Sequence, residues 1–362
     1  MRKFERALAL VLSLMICIAF IKTPNFAQAT EKSEVSARTS EEVYVKIRYN
    51  RPDGNYEGWN FWVWQPGKDG QRVDFIGEDE AGKFAVIKTT KDAEQIGYIL
   101  RRSEQGNEWA ENYFGADKFV DLSNGDTEIV INHKEENRDA QSNILNRNFE
   151  QVTLNVHYYR FNNDYKEWDV WTWLDPNHGG DGHAFTGEND FGKTTSIVYE
   201  NVVDARKDGI GIIIRKPDWS AKDIEFDRFI NLAYANNNGE INVYLVQSNP
   251  EIVFRAEDAI REPAITVAKI DSLNEISFTT NVKMNKDLTV ENVTLTENSE
   301  EIAVKSLEIN EDLISGKIVV EKDLSLTNEY VLEVDGYIGK TVTLGRYLIQ
   351  TNLQIYIIIM EN

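Results

Sequence analysis

The chain has 362 residues, of which 41% are hydrophobic, with 39 Lys and Arg set against 60 Asp and Glu and a single cysteine. That length accommodates roughly two to four domains. A net charge of −21 repels phosphate backbones and anionic lipid, so nucleic acid is excluded as a partner, while an uncharged ligand, or a charge kept only for solubility, remains compatible.

Residues 1–29 read as a secretory signal. Arg2, Lys3 and Arg6 precede an apolar run over 7–21, and Ala27-Gln28-Ala29 is a small-x-small cleavage site. The run falls short of the ~20 residues that span a bilayer, which weighs against an uncleaved anchor. Cys17 lies inside the run, and Ile16 before it argues against a lipoprotein box. The mature chain is therefore expected to be extracellular, without a membrane span and without cysteine. Disulfides, zinc thiolates and a Cys nucleophile are then excluded. Residues 30–41 form a polar leader.

The next stretch occurs twice. Val43, Val45, Ile47 and Tyr49 alternate with Tyr44, Lys46 and Arg48, as Val152, Leu154, Val156 and Tyr158 alternate with polar residues later. Such alternation predicts a strand with one buried face. The motif Tyr56-Glu57-Gly58-Trp59-Asn60-Phe61-Trp62-Val63-Trp64 returns as Tyr165-Lys166-Glu167-Trp168-Asp169-Val170-Trp171-Thr172-Trp173. The copies realign at Phe75-Ile76-Gly77-Glu78-Asp79 with Phe185-Thr186-Gly187-Glu188-Asn189. They do so again at Ile96-Gly97-Tyr98-Ile99-Leu100-Arg101-Arg102 with Ile210-Gly211-Ile212-Ile213-Ile214-Arg215-Lys216, at Trp109 with Trp219, and at Asp117-Lys118-Phe119 with Asp227-Arg228-Phe229. A period of about 110 residues is the size of a whole domain and too long for a solenoid or propeller blade. Short strands, turn signals such as Pro52-Asp53-Gly54, and no sustained helical period predict a β-sandwich for each copy. The first is placed at 42–133 and the second at 151–249, with 134–150 as a polar linker.

A third region, 250–351, carries short strands at Ile265-Thr266-Val267, Ile276-Ser277-Phe278, Val290 to Val293, Ile318-Val319-Val320 and Tyr330 to Val334, which suit an immunoglobulin-like sandwich. Its loop carboxylates, such as Glu257 and Asp258, form no constellation, and the region reads as a spacer. The tail, 352–362, is largely apolar, too short to span a membrane, and an aggregation hazard if left as an unpaired strand.

Residues two apart in a strand share a face. Trp59, Phe61 and Val63, like Trp168, Val170 and Thr172, are expected in the core. Trp62, Trp64 and Asn60, and Trp171, Trp173 and Asp169, face the other way, a pattern odd for a core and natural for a binding surface. Trp109 and Trp219 stand in polar loops, where lining a site and packing locally are equally compatible. An indole face attracts C–H edges, so two indoles on one strand face can stack two pyranose rings while Asp and Lys at the rim bind hydroxyls. Each aromatic contact adds on the order of 1 kcal/mol, so a single site is weak and two linked sites gain avidity. His178 and His183 lie in or beside a Gly/Asp loop without ligand spacing, and a solvated loop is the default there. No nucleophile elbow, phosphate loop or zinc-helix motif is present, and in so acidic a chain carboxylate pairs arise by chance. No catalytic residue, metal or cofactor is expected.

On these residues the two copies resemble the pullulanase-associated starch-binding modules of carbohydrate-binding module family 41, in tandem. The resemblance rests on Trp-x-x-Trp-x-Trp, the Phe-x-Gly-Glu-(Asp/Asn) turn, the Ile-(Ile/Leu)-Arg-(Arg/Lys) strand, and Trp219-Ser-Ala-Lys222-Asp223 followed by Asp227-Arg228-Phe229-Ile230. It implies an all-β chain: two tandem β-sandwich carbohydrate-binding modules followed by an immunoglobulin-like β-sandwich. It also implies binding of α-1,4/α-1,6-linked glucans, with Trp171 and Trp173 stacking glucose while Lys222 and Asp227 hydrogen-bond it. Trp62, Trp64 and Asp117 match in the first copy, where Asn112 stands in place of the Lys and Trp109-Ala-Glu-Asn departs from the pattern. Residues 265–271 and 330–334 resemble the spacer of secreted bacterial pullulanases. The catalytic barrel expected after it in such enzymes has no counterpart here, and a truncated or frame-shifted reading frame is the expectation. The reading that follows is a monomeric, secreted, non-catalytic α-glucan-binding protein. The alternatives are a surface or adhesion protein whose Trp faces bind a protein, and a glycoside hydrolase hidden in the sandwiches.

Overall fold

The computed structural model describes residues 41–174, 179–202 and 209–344. The signal, nearly all of the leader, His178 and the apolar tail lie outside the described residues. The described chain is almost wholly β, and its six sheets pair into three sandwiches, each around its own core.

In the first sandwich one sheet runs Gln141–Ile144, Thr127–Asn132, Glu42–Asn50, Gly82–Thr90, Gly77–Asp79. The facing sheet runs Gln71–Val73, Trp59–Trp64, Gln95–Glu104, Asn107–Asn112, with Lys118–Asp121 also paired to Gln95–Glu104. Val43, Val45, Ile47 and Tyr49 from one side meet Trp59, Phe61 and Val63 from the other, all buried. The second sandwich repeats this plan. One sheet runs Gly187–Glu188, Lys193–Val202, Phe149–Tyr159, Glu240–Val246, and the other Asp181–Ala184, Asp169–Trp173, Ile210–Arg215, Arg228–Ile230. The sheet holding the tryptophan motif is called the platform sheet below.

The Tyr that opens each motif closes a turn. Tyr56 Oη accepts a bond from the Arg51 backbone N–H at 3.0 Å, and Tyr165 Oη does the same for Arg160 at 3.0 Å. Two residues further on, the backbone is left-handed in both copies, at Gly58 (φ 75°) and at Glu167 (φ 61°).

Two stretches differ from the sequence expectation. Within 134–150, Gln141–Ile144 adds an antiparallel strand to Thr127–Asn132, and Leu145 is buried. In the third sandwich, Val290–Asn292 is a 3-10 turn, and the strand begins only at Val293. Asn292 Oδ1 accepts the Thr289 N–H at 2.9 Å, and this local bond competes with extension of the strand.

The first strand also departs from its alternation. Its outward residues Tyr44, Lys46 and Arg48 are only 6%, 3% and 2% exposed, because the turn 231–239 of the second sandwich covers them. Tyr44 packs edge-on against Tyr234, and Phe84, Val86, Leu145 and Ala233 complete a small apolar cluster. Lys46 Nζ donates to Ala235 O at 2.6 Å. Arg48 donates to Asp79 at 2.6 Å and to Asn237 Oδ1 at 2.9 Å, and Asp79 accepts the Asn237 N–H at 2.8 Å. The two sandwiches are thus joined across a buried polar interface.

Burial pushes the Lys46 ammonium down to about 8. Between about pH 8 and its unfolded value near 10.5, the unfolded chain holds a proton that the folded chain has lost, so wild-type stability gains on Lys46→Met as pH rises. The gain reaches about 3 kcal/mol, as measured by urea unfolding of both proteins from pH 7.5 to 10.5; a constant difference contradicts it. Separately, Glu167→Gly should stabilise by about 1 kcal/mol in the same assay, because glycine carries no Cβ into the left-handed region.

Candidate functional site: two aromatic platforms

Each platform is built on a glycine. Gly97 lies directly across from Trp64 on one side and from Phe119 on the other. Gly211 lies between Trp173 and Phe229 in the same way. A side chain at either glycine would fall inside the neighbouring indole. The Trp therefore lies flat over the glycine and meets the Phe ring edge-on, with centroids 5.9 Å apart in the first copy and 5.7 Å in the second. An aromatic ring covering a mid-strand glycine restores packing that the glycine lacks. Phe119 and Phe229 remain 54% and 49% exposed.

Two residues along the strand, a second pair forms. Trp62 meets Trp109 at 5.8 Å and 64°, and Trp171 meets Trp219 at 5.4 Å and 66°. Trp219 stands outside the strands as expected, but Trp109 lies in the strand Asn107–Asn112 rather than in a loop; both are about half exposed. Beneath each pair lies a buried guanidinium. Arg101 Cζ is 4.5 Å from the Trp62 ring centre and 4.3 Å from that of Trp109. Arg215 Cζ is 4.1 Å and 4.0 Å from Trp171 and Trp219. Trp219 is held with φ at 61°, a left-handed backbone that a bulky residue rarely adopts.

The polar residue of the motif is not on the surface, as the alternation suggested, but under the rings. Asn60 is fully buried and Asp169 nearly so. Asn60 Oδ1 accepts from Arg101 Nε at 2.9 Å, and Asp169 Oδ1 accepts from Arg215 Nε at 3.2 Å. Burial pushes the Asp169 carboxyl above the ordinary carboxylate range, while Arg215 draws it back. Burial lowers the pKa of Arg101.

The rims differ between the copies. In the second, Lys222 sits opposite Arg215 in an isolated bridge, and its ammonium lies 3.9 Å from Asp227 and donates to Glu225 O at 3.3 Å. Arg228 clamps this loop through a two-pronged buried pair with Asp223, at 3.2 and 3.0 Å, and a bond to Asn249 O at 2.5 Å. Burial raises the Asp223 carboxyl, against the pull of Arg228. In the first copy Asp117 is exposed, while Asn112 Oδ1 accepts the Gly115 N–H in a turn.

The structure therefore groups Trp62 with Trp109, Trp171 with Trp219, and Lys222 with Asp227, and sets Trp64 and Trp173 in the neighbouring rows. Trp59 is core, and Trp168 is half-buried against the second core. The sequence reading passed over Arg101, Arg215, Phe119, Phe229, Gly97 and Gly211, although all six lie in segments where the copies align. Among the described residues no group of three or more His, Cys, Asp or Glu converges as a metal site, and His183 sits opposite Val170 in a strand pair. A charged cleft of 880 Å³, lined by Arg72, Arg102, Glu108 and Trp59, contains none of the platform rings. The platforms are open faces of tilted aromatic rings, suited to stacking on rings that present C–H groups.

Gly211→Ala should lift the Trp173 indole from the sheet and cost about 1–3 kcal/mol, the usual penalty for overpacking. Urea unfolding and iodide quenching of tryptophan fluorescence measure the two effects. Unchanged stability and quenching contradict the glycine-based platform.

A sequence profile for the bacterial pullanase-associated domain matches residues 43–138 and 152–254. Among solved structures, an α-glucan-binding streptococcal virulence factor is similar over 60% of this chain and 99% of its own, at 17% identity and a TM-score of 0.25. The multi-modular glycogen-degrading pneumococcal virulence factor SpuA, in a product complex, is similar over 84% of this chain at 14% identity and a TM-score of 0.26. This chain spans only 27% of SpuA's length. Ligand-free PulA of Klebsiella pneumoniae is similar over 54% of this chain and 22% of its own, at 13% identity and a TM-score of 0.30. The two matched segments make up more than half of the sequence, and the chain belongs to the bacterial pullanase-associated domain family.

Proposed function

We propose that this chain is a secreted, non-catalytic α-glucan-binding protein in which each of the first two sandwiches holds glucose units on its aromatic platform. One observation carries the reading. The same arrangement, a Trp–Gly–Phe row beside a Trp–Arg–Trp pair, is built twice. An apolar patch kept on a sheet face in two copies is best explained by a ligand.

The chemistry of the patch narrows the ligand. A pyranose offers a C–H face to indole and a rim of hydroxyls to charged side chains. Lys222 and Asp227 supply a donor and an acceptor beside the second platform, and Asp117 supplies an acceptor beside the first. The ring pairs are tilted by 64–66° rather than coplanar. That tilt supports a curved α-linked chain over the flat ribbon of a β-1,4 glucan. The charge of −21 disfavours nucleic acid as a ligand. The signal pattern over 1–29 supports secretion, and the third sandwich serves as a spacer for a monomeric protein. Membership of the pullanase-associated domain family supports a role in targeting to α-glucan.

Titration calorimetry of the full mature chain with maltotetraose, with cellotetraose as control, tests this reading. Two weak sites selective for the α-linked sugar are expected. Trp62→Ala with Trp64→Ala should remove one site, and Trp171→Ala with Trp173→Ala the other. No heat from maltotetraose with folded protein overturns the reading, as does release of reducing sugar from pullulan for its non-catalytic part.

A further inference from the structure

The two platforms share every ring but not the group that holds the guanidinium beneath them. We propose that Arg101 and Arg215 are positioning residues that fix the indoles of Trp109 and Trp219 against Trp62 and Trp171, and that the exchange of Asn60 for Asp169 makes the second platform the stronger stacking surface. The affinity half of this proposal rests on the α-glucan reading, while the positioning half does not.

The positioning role follows from geometry. Arg101 is 0% exposed and Arg215 5%, yet each has its planar head within 4.5 Å of two ring centres. The two indoles of each pair meet edge-to-face, and neither belongs to the hydrophobic core clusters. One planar cation shared between two rings holds both, which a lysine ammonium on a flexible stem would not do. Arg101 Nη1 is buried and has no hydrogen-bond partner among the described residues, so the two π faces are its nearest attraction. Trp219 needs such a hold most, because its left-handed backbone is unfavourable on its own.

The difference in strength follows from charge. A cation under one face of an indole draws electron density toward itself and weakens the opposite face as an acceptor of C–H edges. In the second platform the cation is paired with the buried carboxylate of Asp169. In the first, its buried partner is the neutral amide of Asn60. The carboxylate it does reach, Glu108 at 3.3 Å, has a side chain 68% exposed and is screened by water. More positive charge therefore remains beneath Trp62 and Trp109 than beneath Trp171 and Trp219.

The test uses the full mature chain with one platform silenced at a time. With Trp62→Ala and Trp64→Ala in place, Asp169→Asn should weaken maltotetraose binding at the second platform about fivefold by calorimetry. With Trp171→Ala and Trp173→Ala in place, Asn60→Asp should tighten the first by a similar factor. An unchanged dissociation constant for Asp169→Asn overturns the charge argument, and that variant decides alone if Asn60→Asp, which puts a carboxylate oxygen beside Gly58 O, does not fold. The positioning half is read without sugar. The Trp171–Trp219 pair should give an exciton couplet in circular dichroism near 230 nm, identified by its loss in Trp219→Phe. Arg215→Lys should abolish it while the protein stays folded; a retained couplet overturns the positioning role. If Arg215→Lys unfolds the protein, Asp169→Asn should shift or weaken the couplet, and an unaltered couplet overturns the role instead. Absence of any sugar binding by the parent defeats the glucan reading and with it the affinity half, and leaves the couplet to decide the rest.

Discussion

Broad, flat apolar rings cannot be held at fixed positions in water without support, and each platform sheet supplies that support from below. The support has two parts: a glycine that lets one indole lie down on the strand, and a buried guanidinium that binds two indoles at once. Everything else about the sheet is arranged around them. The opposite face of the tryptophan strand fills the core with Phe61 and Val63, or Val170, which anchors the strand. The turn before it is tied by a tyrosine hydroxyl to a backbone N–H, which sets where the strand begins. A stacking surface gains affinity when its rings are already in place, because no side-chain entropy is lost on binding.

The same economy governs how the sandwiches meet. The outer face of the strand Glu42–Asn50 carries Lys46 and Arg48, which would be solvated in an isolated sandwich. Here they are desolvated, and the cost is offset by bonds to Ala235, Asn237 and Asp79. Buried charges bonded in this way favour one docking geometry over others more than they add net stability. The two platforms are therefore carried on sandwiches in contact, which suits a ligand that offers many copies of the same sugar along one chain.

Much of this was legible in the sequence because strands have a period of two. The alternation separated Trp59, Phe61 and Val63 from Trp62 and Trp64, and the repeat at an offset of 109 supplied a second, independent instance. The third region's strands at 265, 276, 318 and 330 were visible for the same reason. What the pattern did not reveal depends on partners distant in sequence. Tyr44, Lys46 and Arg48 look like a solvent face because nothing local marks the turn 231–239 that covers them. Asn60 and Asp169 look like surface groups because their Arg partners lie 41 and 46 residues away. The strand Gln141–Ile144 has Ile144 as its one apolar residue and is exposed along its length, so only its pairing defines it. The aligned Ile-Gly-x-Ile-(Leu/Ile)-Arg segments held the signal for Gly97, Gly211, Arg101 and Arg215, but periodicity alone assigns no role to a strand glycine or arginine.

The eight tryptophans offer the most direct test of the account. Six belong to the platforms and two, Trp59 and Trp168, pack toward the cores. The indole N–H resonances of the full mature chain, labelled with ¹⁵N and assigned by single Trp→Phe replacements, can be followed while maltotetraose is added. The account predicts that Trp62, Trp64, Trp109, Trp171, Trp173 and Trp219 move with saturation while Trp59 and Trp168 stay in place. Movement confined to the two core-facing indoles, or no movement in any of the six, would contradict it.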